Sequence, residues 1–362
     1  MDKNLIYVMY GDRPKEMIKE SLYHIRLAAD IPSKDALIGI KPNLILARPA
    51  ESGATTSPEL VEGLLEYLLE NGFKNIIILE GAWVGDRTSR AFDVCGYTAL
   101  SKKYDIPLID LQKDRSTDYK VDGMTIAVCD RVMEVDYLIN MPVLKGHCQT
   151  YITCALKNLK GCIPNREKRR FHTMGLHKPI AYLNKIIKQD LTIVDGIIGD
   201  LNFEEGGNPV QMNRILLGKD PVAIDSYVAQ LLGYDMEDVP YIEIAEQIGV
   251  GNRFADDNIR ELNKDNTPMT IPKSRLVKQL SRYVEENMAC SACYGSLIHA
   301  LDRLKDMGAL YRLEKKIHIG QGYKDRTMEG IGVGICTRGL SKNIGGCPPK
   351  AKDIIDFLKN HI

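Results

Sequence analysis

The stretch Ala36-Leu37-Ile38-Gly39-Ile40-Lys41-Pro42-Asn43 decides how the rest of the chain is read. A short apolar run that meets a lysine and then Pro-Asn reads as a buried strand ending in polar, chemically useful residues. Upstream, Leu5 to Tyr10 has strand character and Pro14 to Ala29 an amphipathic helical pattern. Downstream, the polar loop Glu51 to Thr56 leads to Ser57, read as a helix N-cap, with Pro58 at the first helical position. That helix is expected to stop at Asn71-Gly72. Ile76 to Leu79 is the next buried strand and runs into Glu80-Gly81; a helix near Ser89 to Lys103 and a strand Pro107 to Leu111 follow. Strand and helix alternating at this spacing predict an α/β fold with a doubly wound, mostly parallel sheet.

The pattern continues along the chain. Val121 to Val128 reads as part of a hairpin, Tyr137 to Met141 as a buried strand, and Tyr151 to Leu159 as a helix. Ile180 to Ile187 is helical by spacing, and Leu191 to Val194 is a strand running into Asp195-Gly196. Asp220-Pro221 opens a further helix. Ligands of open parallel sheets bind beyond the carboxyl ends of the strands. Lys41, Asn43, Glu80, Lys145, His147 and Asp195 all fall at such ends.

The chain has 362 residues, 44% hydrophobic and 27% charged, with 48 Lys and Arg against 48 Asp and Glu. This is the composition of a globular enzyme, and a zero net charge gives no bulk attraction to nucleic acid or an anionic membrane. Met1 to Gly11 lacks the apolar core of a signal peptide, and no apolar run approaches the roughly 20 residues of a membrane span. A cytoplasmic location is expected. The Asn-, Asp- and Pro-rich segment Asn263 to Arg275 marks the expected boundary between an α/β body, residues 1–272, and a smaller C-terminal Cys-rich α/β domain, residues 273–362.

Nine cysteines are many for a reducing compartment, where thiols serve metals, clusters or catalysis. Four of them, Cys290, Cys293, Cys336 and Cys347, are spaced C-x2-C-x42-C-x10-C, and Pro348 follows the last. Four thiolates from two segments suit a [4Fe–4S] cluster or, alternatively, a structural Zn ion. Cys293 precedes a helical pattern and Cys347 precedes the helix Ala351 to Lys359, so both would stand near helix N-termini. Cys95, Cys129, Cys148, Cys154 and Cys162 read as buried apolar thiols.

Lys145, Lys157, Lys160, Arg166, Lys168, Arg169 and Arg170 lie in a segment whose only acid is Glu167. A local basic patch in a neutral chain suits an anionic small molecule, although a solvated surface has the same look. Lys41, Asn43, Lys157, Asn158 and Lys160 are the candidate binding residues. Lys145, His147 and His172 are the candidate catalytic ones, since an unperturbed imidazole exchanges protons near neutral pH. The acids Asp195, Asp200, Glu204, Glu205, Asp220 and Asp225 serve either acid–base work or helix capping. No aromatic ladder accompanies the basic segment, which speaks against nucleic acid.

Lys41-Pro42-Asn43, Pro142 to His147, Ala155 to Cys162, Glu205 to Pro209 and Asp220 to Asp225 together resemble, in order, the motifs of the domain of unknown function 362 family over about residues 36 to 235. The resemblance implies an α/β body associated with iron–sulfur chemistry and names no reaction. The chain departs from the family's usual ferredoxin-type pattern, since it has no C-x2-C-x2-C-x3-C-P run. The expectation is an iron–sulfur oxidoreductase that acts on an anionic small molecule beside the cluster. A cluster-binding electron-transfer or carrier protein, or a zinc-stabilised hydrolase, stays open. The partners expected are the anionic ligand and an electron-transfer protein; homo-oligomer assembly is compatible with the sequence.

Overall fold

The computed structural model describes residues 1–264, 266 and 268–361. Its main sheet has eight strands, in the order Ile259–Glu261, Ile6–Tyr10, Pro209–Gly218, Leu191–Asp200, Tyr137–Met141, Ile38–Pro42, Ile76–Glu80 and Leu108–Asp110. Pro209–Gly218 is antiparallel to both its neighbours; every other pairing is parallel. The α/β fold with a mostly parallel sheet is therefore as the sequence predicts. Alternation along a strand sends Ile77 and Leu79 into one apolar layer and Ile76 and Ile78 into the other, so helices cover both faces.

The strand Ile38–Pro42 lies between Tyr137–Met141 and Ile76–Glu80. The carboxyl ends of these three neighbours carry Lys41 and Asn43, the turn into Lys145, and Glu80. A second, smaller sheet is all parallel, in the order Val284–Glu286, Ile317–Ile319, Met328–Val333 and Leu340–Ile344. Helices Ser291–Asp306 and Ala351–Lys359 pack on it through Leu297, Leu301, Leu304, Ile354 and Leu358. Cys148 and Phe203 of the first part of the chain join this cluster, and the Phe203 ring stacks on His299 at 3.7 Å between centroids.

Local differences from the sequence reading have physical causes. The segment expected to be helical from Tyr151 is instead the strand Tyr151–Thr153, paired with Lys145–His147; the helix covers only Ala155–Asn158 and tightens into a 3-10 turn, Leu159–Cys162. Thr153 and Lys157 thus do not share a helix face, although Lys157 Nζ still reaches Thr153 Oγ1 at 3.1 Å. The helix expected over Ser89 to Lys103 is broken in two at Gly96, whose φ is 83°. Ser57 does not cap with its side chain; its N–H instead donates to Asp195 Oδ2 at 2.7 Å. Asp220 does cap, accepting from Val222 N at 2.8 Å and Ala223 N at 3.1 Å. No helix among the described residues is long and apolar enough to cross a membrane.

Candidate functional site

A cavity of 590 Å³ opens at the strand ends. One wall comes from Asn43, Lys157, Asn158, Lys160 and His172; the facing wall includes Cys290, Gln321 and Cys347. The structure thus brings five of the eight predicted binding and catalytic residues, and two of the four cysteines, to one space. Lys41, Lys145 and His147 are fully buried behind it and do not line it.

Those three hold the wall in place. Lys41 Nζ pairs with Glu80 Oε1 at 2.9 Å and donates to Pro42 O at 2.6 Å. Glu80 also accepts from Leu44 N and Gly81 N, each at 2.7 Å, so a single carboxylate ties two strand ends together. Lys145 Nζ donates to Asn43 Oδ1 at 2.9 Å, to Glu204 O at 2.9 Å and to Ala54 O. Burial pulls its pKa down to about 7, but three accepting oxygens need three protons, so we read it as a structural ammonium. Asn43 Nδ2 donates to Asn158 Oδ1, and Asn158 Nδ2 to Asn140 Oδ1. The two candidate binding amides are therefore oriented by a buried chain of side-chain bonds.

His147 is corrected from a proton carrier at the cavity to a positioning residue. Its Nδ1 accepts the N–H groups of Gln149 and Thr150, at 2.9 and 3.0 Å. Burial lowers its pKa to about 4, so the ring is neutral and its proton sits on Nε2. Nε2 lies 3.0 Å from Glu204 Oε1, out of line for a well-formed hydrogen bond. Glu204 meets Lys157 Nζ with its other oxygen at 2.5 Å. Burial alone would raise the Glu204 pKa, but the Lys157 and Lys160 side chains hold it well below the ordinary carboxylate range. Glu204 is the one member of the acidic set that reaches the cavity. Asp195, Asp200, Asp220 and Asp225 accept backbone N–H groups.

Sequence reasoning passed over Trp83 and Gly161 and placed Lys168 only in the general basic segment. Trp83 stands three residues beyond Glu80, at a strand end, which was a usable signal. Lys168 donates to Gly81 O and Ala82 O, at 2.8 and 2.9 Å. Gly161 has no room for a side chain: a Cβ there would lie 2.4 Å from Glu80 Oε1 and 2.6 Å from Lys41 Cε. Gly161→Ala is expected to cost about 1–3 kcal/mol of stability, as overpacking does, read from the denaturant midpoint.

On the facing wall, Cys290 is the N-cap of the helix Ser291–Asp306 and Cys293 lies in its first turn, so that helix begins earlier than the sequence suggested. Cys336 sits in the 3-10 turn Ile335–Thr337, entered through Gly334 at φ 96°; Cys347 follows Gly346 at φ 123°. L side chains rarely adopt such φ values, which accounts for glycine before both turns. The four thiols face one another: each lies within electrostatic reach of the other three. Burial and the neighbouring sulfurs push Cys293 up to about 12 and raise Cys290 and Cys336. Gln321 Nε2 approaches Cys290 Sγ at 3.5 Å. Among the described residues no three His, Cys, Asp or Glu groups are close enough to hold one metal ion. Cys148, Cys154 and Cys162 are buried in apolar clusters, and burial raises all three.

The model of the domain of unknown function (DUF362) matches residues 38–230, the part of the chain that carries the strand ends and the lysine wall. The chain belongs to the DUF362 family. It is also 26% identical over 239 residues to the "Thylakoid-associated protein sll1697" of Synechocystis sp., which covers 63% of this chain and 74% of the relative. The DUF362 match ends well before Cys290, so three of the cavity's outer elements lie outside the family region: the turn at Gln321 and the two cysteine segments.

Proposed function

We propose that this protein is an iron–sulfur oxidoreductase whose ligand, an anionic small molecule, binds in the cavity between the lysine wall and the cysteine centre. The observation that carries this reading is that Cys290 and Cys347 line the same cavity as Lys157, Lys160 and His172. A centre serving stability alone has no reason to border a ligand-sized space. The four neighbouring thiols and the two nearby helix N-termini suit a [4Fe–4S] cluster. A cluster held by Cys290, Cys293, Cys336 and Cys347 supplies single-electron transfer to or from the ligand.

The chain's own residues supply the rest. The Lys160 ammonium attracts the anionic group, and Asn43 and Asn158 offer amides already fixed in orientation. His172 is neutral, because burial and Lys160 drive its pKa down to about 2, and its Nδ1 is buried without a partner. It therefore offers a hydrogen-bonding nitrogen to whatever occupies the cavity. Glu204, held ionised, fixes the Lys157 side chain beside the ligand.

A second reading, an electron-transfer protein, has one feature in its favour: Cys347 is exposed and Ile335, next to Cys336, is 53% exposed. Such a centre is open to a redox partner on its outer side. Anaerobic purification tests both readings. The enzyme reading expects a brown protein with about four iron atoms per chain, bleached by dithionite and perturbed in its spectrum by the bound anion. A bleachable cluster blind to every anion supports the electron carrier, and a colourless zinc protein removes both.

A further inference from the structure

Five lysines crowd the strand ends, and four of them have found their partners. Lys41 has Glu80 and Pro42 O. Lys145 has Asn43 Oδ1, Ala54 O and Glu204 O. Lys157 has Glu204 and Thr153, and Lys168 has the carbonyls of Gly81 and Ala82. Lys160 lines the cavity and makes no hydrogen bond or ion pair among the described residues. A cation drawn into a protein without a hydrogen-bonded partner is costly, and Glu204, already paired with Lys157, compensates Lys160 only from a distance. Burial, with Lys157 beside it, lowers its pKa to about 7. The missing acceptor belongs to something that enters the cavity.

The rest of the cavity says what else that molecule carries. Trp83, the one tryptophan of the chain, lines it at 37% exposure, together with Ile45, Ala82 and Val84. Its indole rests on Gly85, where a Cβ would lie 2.2 Å from the ring. A volume of 590 Å³ far exceeds what a bare anion fills and falls in the usual small-molecule range of roughly 300–1,000 Å³. Arg166, Arg169 and Arg170 line it as well, and Glu204 on the Lys160 wall is already paired with Lys157, so the cavity favours negative charge.

We propose that the cavity takes a carboxylate with a flat aromatic or conjugated body, its carboxylate on Lys160 and its body against Trp83. This deepens the reading above and rests on the same cavity, but it does not need the cluster to be redox-active. Aromatic rings offer a stacking face to indole that a saturated chain lacks.

The test is calorimetric titration of the anaerobically purified protein with benzoate, benzyl alcohol, acetate and inorganic phosphate, with Trp83 fluorescence as a second readout. Benzoate is expected to bind saturably and to change the emission, and each of the other three to bind roughly tenfold or more weakly. Its affinity should fall as pH rises through about 7, as Lys160, facing Lys157, Lys168, His172 and Glu204, loses its proton. Lys160→Met should lose roughly tenfold or more in benzoate affinity while the unliganded protein melts no lower, because an uncompensated cation has been removed. Trp83→Leu should weaken benzoate but not acetate. Phosphate or acetate binding as tightly as benzoate overturns the proposal, and so does unchanged benzoate affinity in Lys160→Met. A colourless protein that still binds benzoate through Lys160 would end the redox reading and leave this one standing.

Discussion

Cys347→Ser is expected to strip the proposed cluster site of nearly all its iron, from about four atoms per chain to fewer than one. The prediction is clean because Cys347 is exposed, so a serine there leaves no hole in the core. Its thiol faces Cys290, Cys293 and Cys336 across the centre, and three remaining ligands hold a cluster poorly. Binding energy at such a site is folding energy, so the second sheet and its two helices should also melt earlier. Cys95→Ala is the control: Cys95 is buried far along the chain with its thiol on Arg48 O, and its loss should leave the iron content unchanged. Iron analysis and the visible spectrum of the anaerobic variants decide the matter. Full iron in the Cys347 variant would remove the four-cysteine assignment.

The second large effect concerns Glu204. Glu204→Ala leaves the buried Lys157 ammonium with only Thr153 Oγ1 and takes the carboxylate from His147. Breaking a buried pair by removing one partner typically costs about 3–5 kcal/mol, because the surviving charge is stranded. Adding Lys157→Met should restore most of the loss, since removing both charges replaces a stranded ion by apolar packing. Urea midpoints of the two single variants and the double variant give the coupling directly. An additive double variant would mean that the 2.5 Å contact contributes little.

The main sheet was legible because each strand advertises itself twice: by apolar alternation and by the polar residue at its end, as in Ile40-Lys41 and Leu79-Glu80. The hairpin Lys145–His147 with Tyr151–Thr153 was not legible. Its strands are three residues long, Tyr151 has a φ of 62°, and Gly146 sits where a Cβ would fall 2.2 Å from Leu201 O. Long-range packing sets that conformation, and no local spacing reveals it. The cysteine spacing singled out four residues, of which Cys290 and Cys347 line the cavity. Which lysine stays free was hidden, because Lys157 is paired with a glutamate 47 positions away and Lys145 donates to an asparagine 102 positions away. Sequence reasoning gave Lys157 and Lys160 the same binding role, and the fold gives each a different one.

The carboxylate of Glu80 has one more consequence, in the domain of exchange kinetics. The amides of Leu44 and Gly81 lie just past the ends of their strands, where loop N–H groups ordinarily trade protons with water quickly. Here both are held by the same 2%-exposed side chain. Their deuterium uptake is therefore gated by the opening of the Lys41–Glu80 pair and not by fraying of either strand, and the two should exchange together. They act as a matched pair of built-in probes, reporting from within the native state how often the floor of the cavity comes apart and whether an occupant keeps it shut.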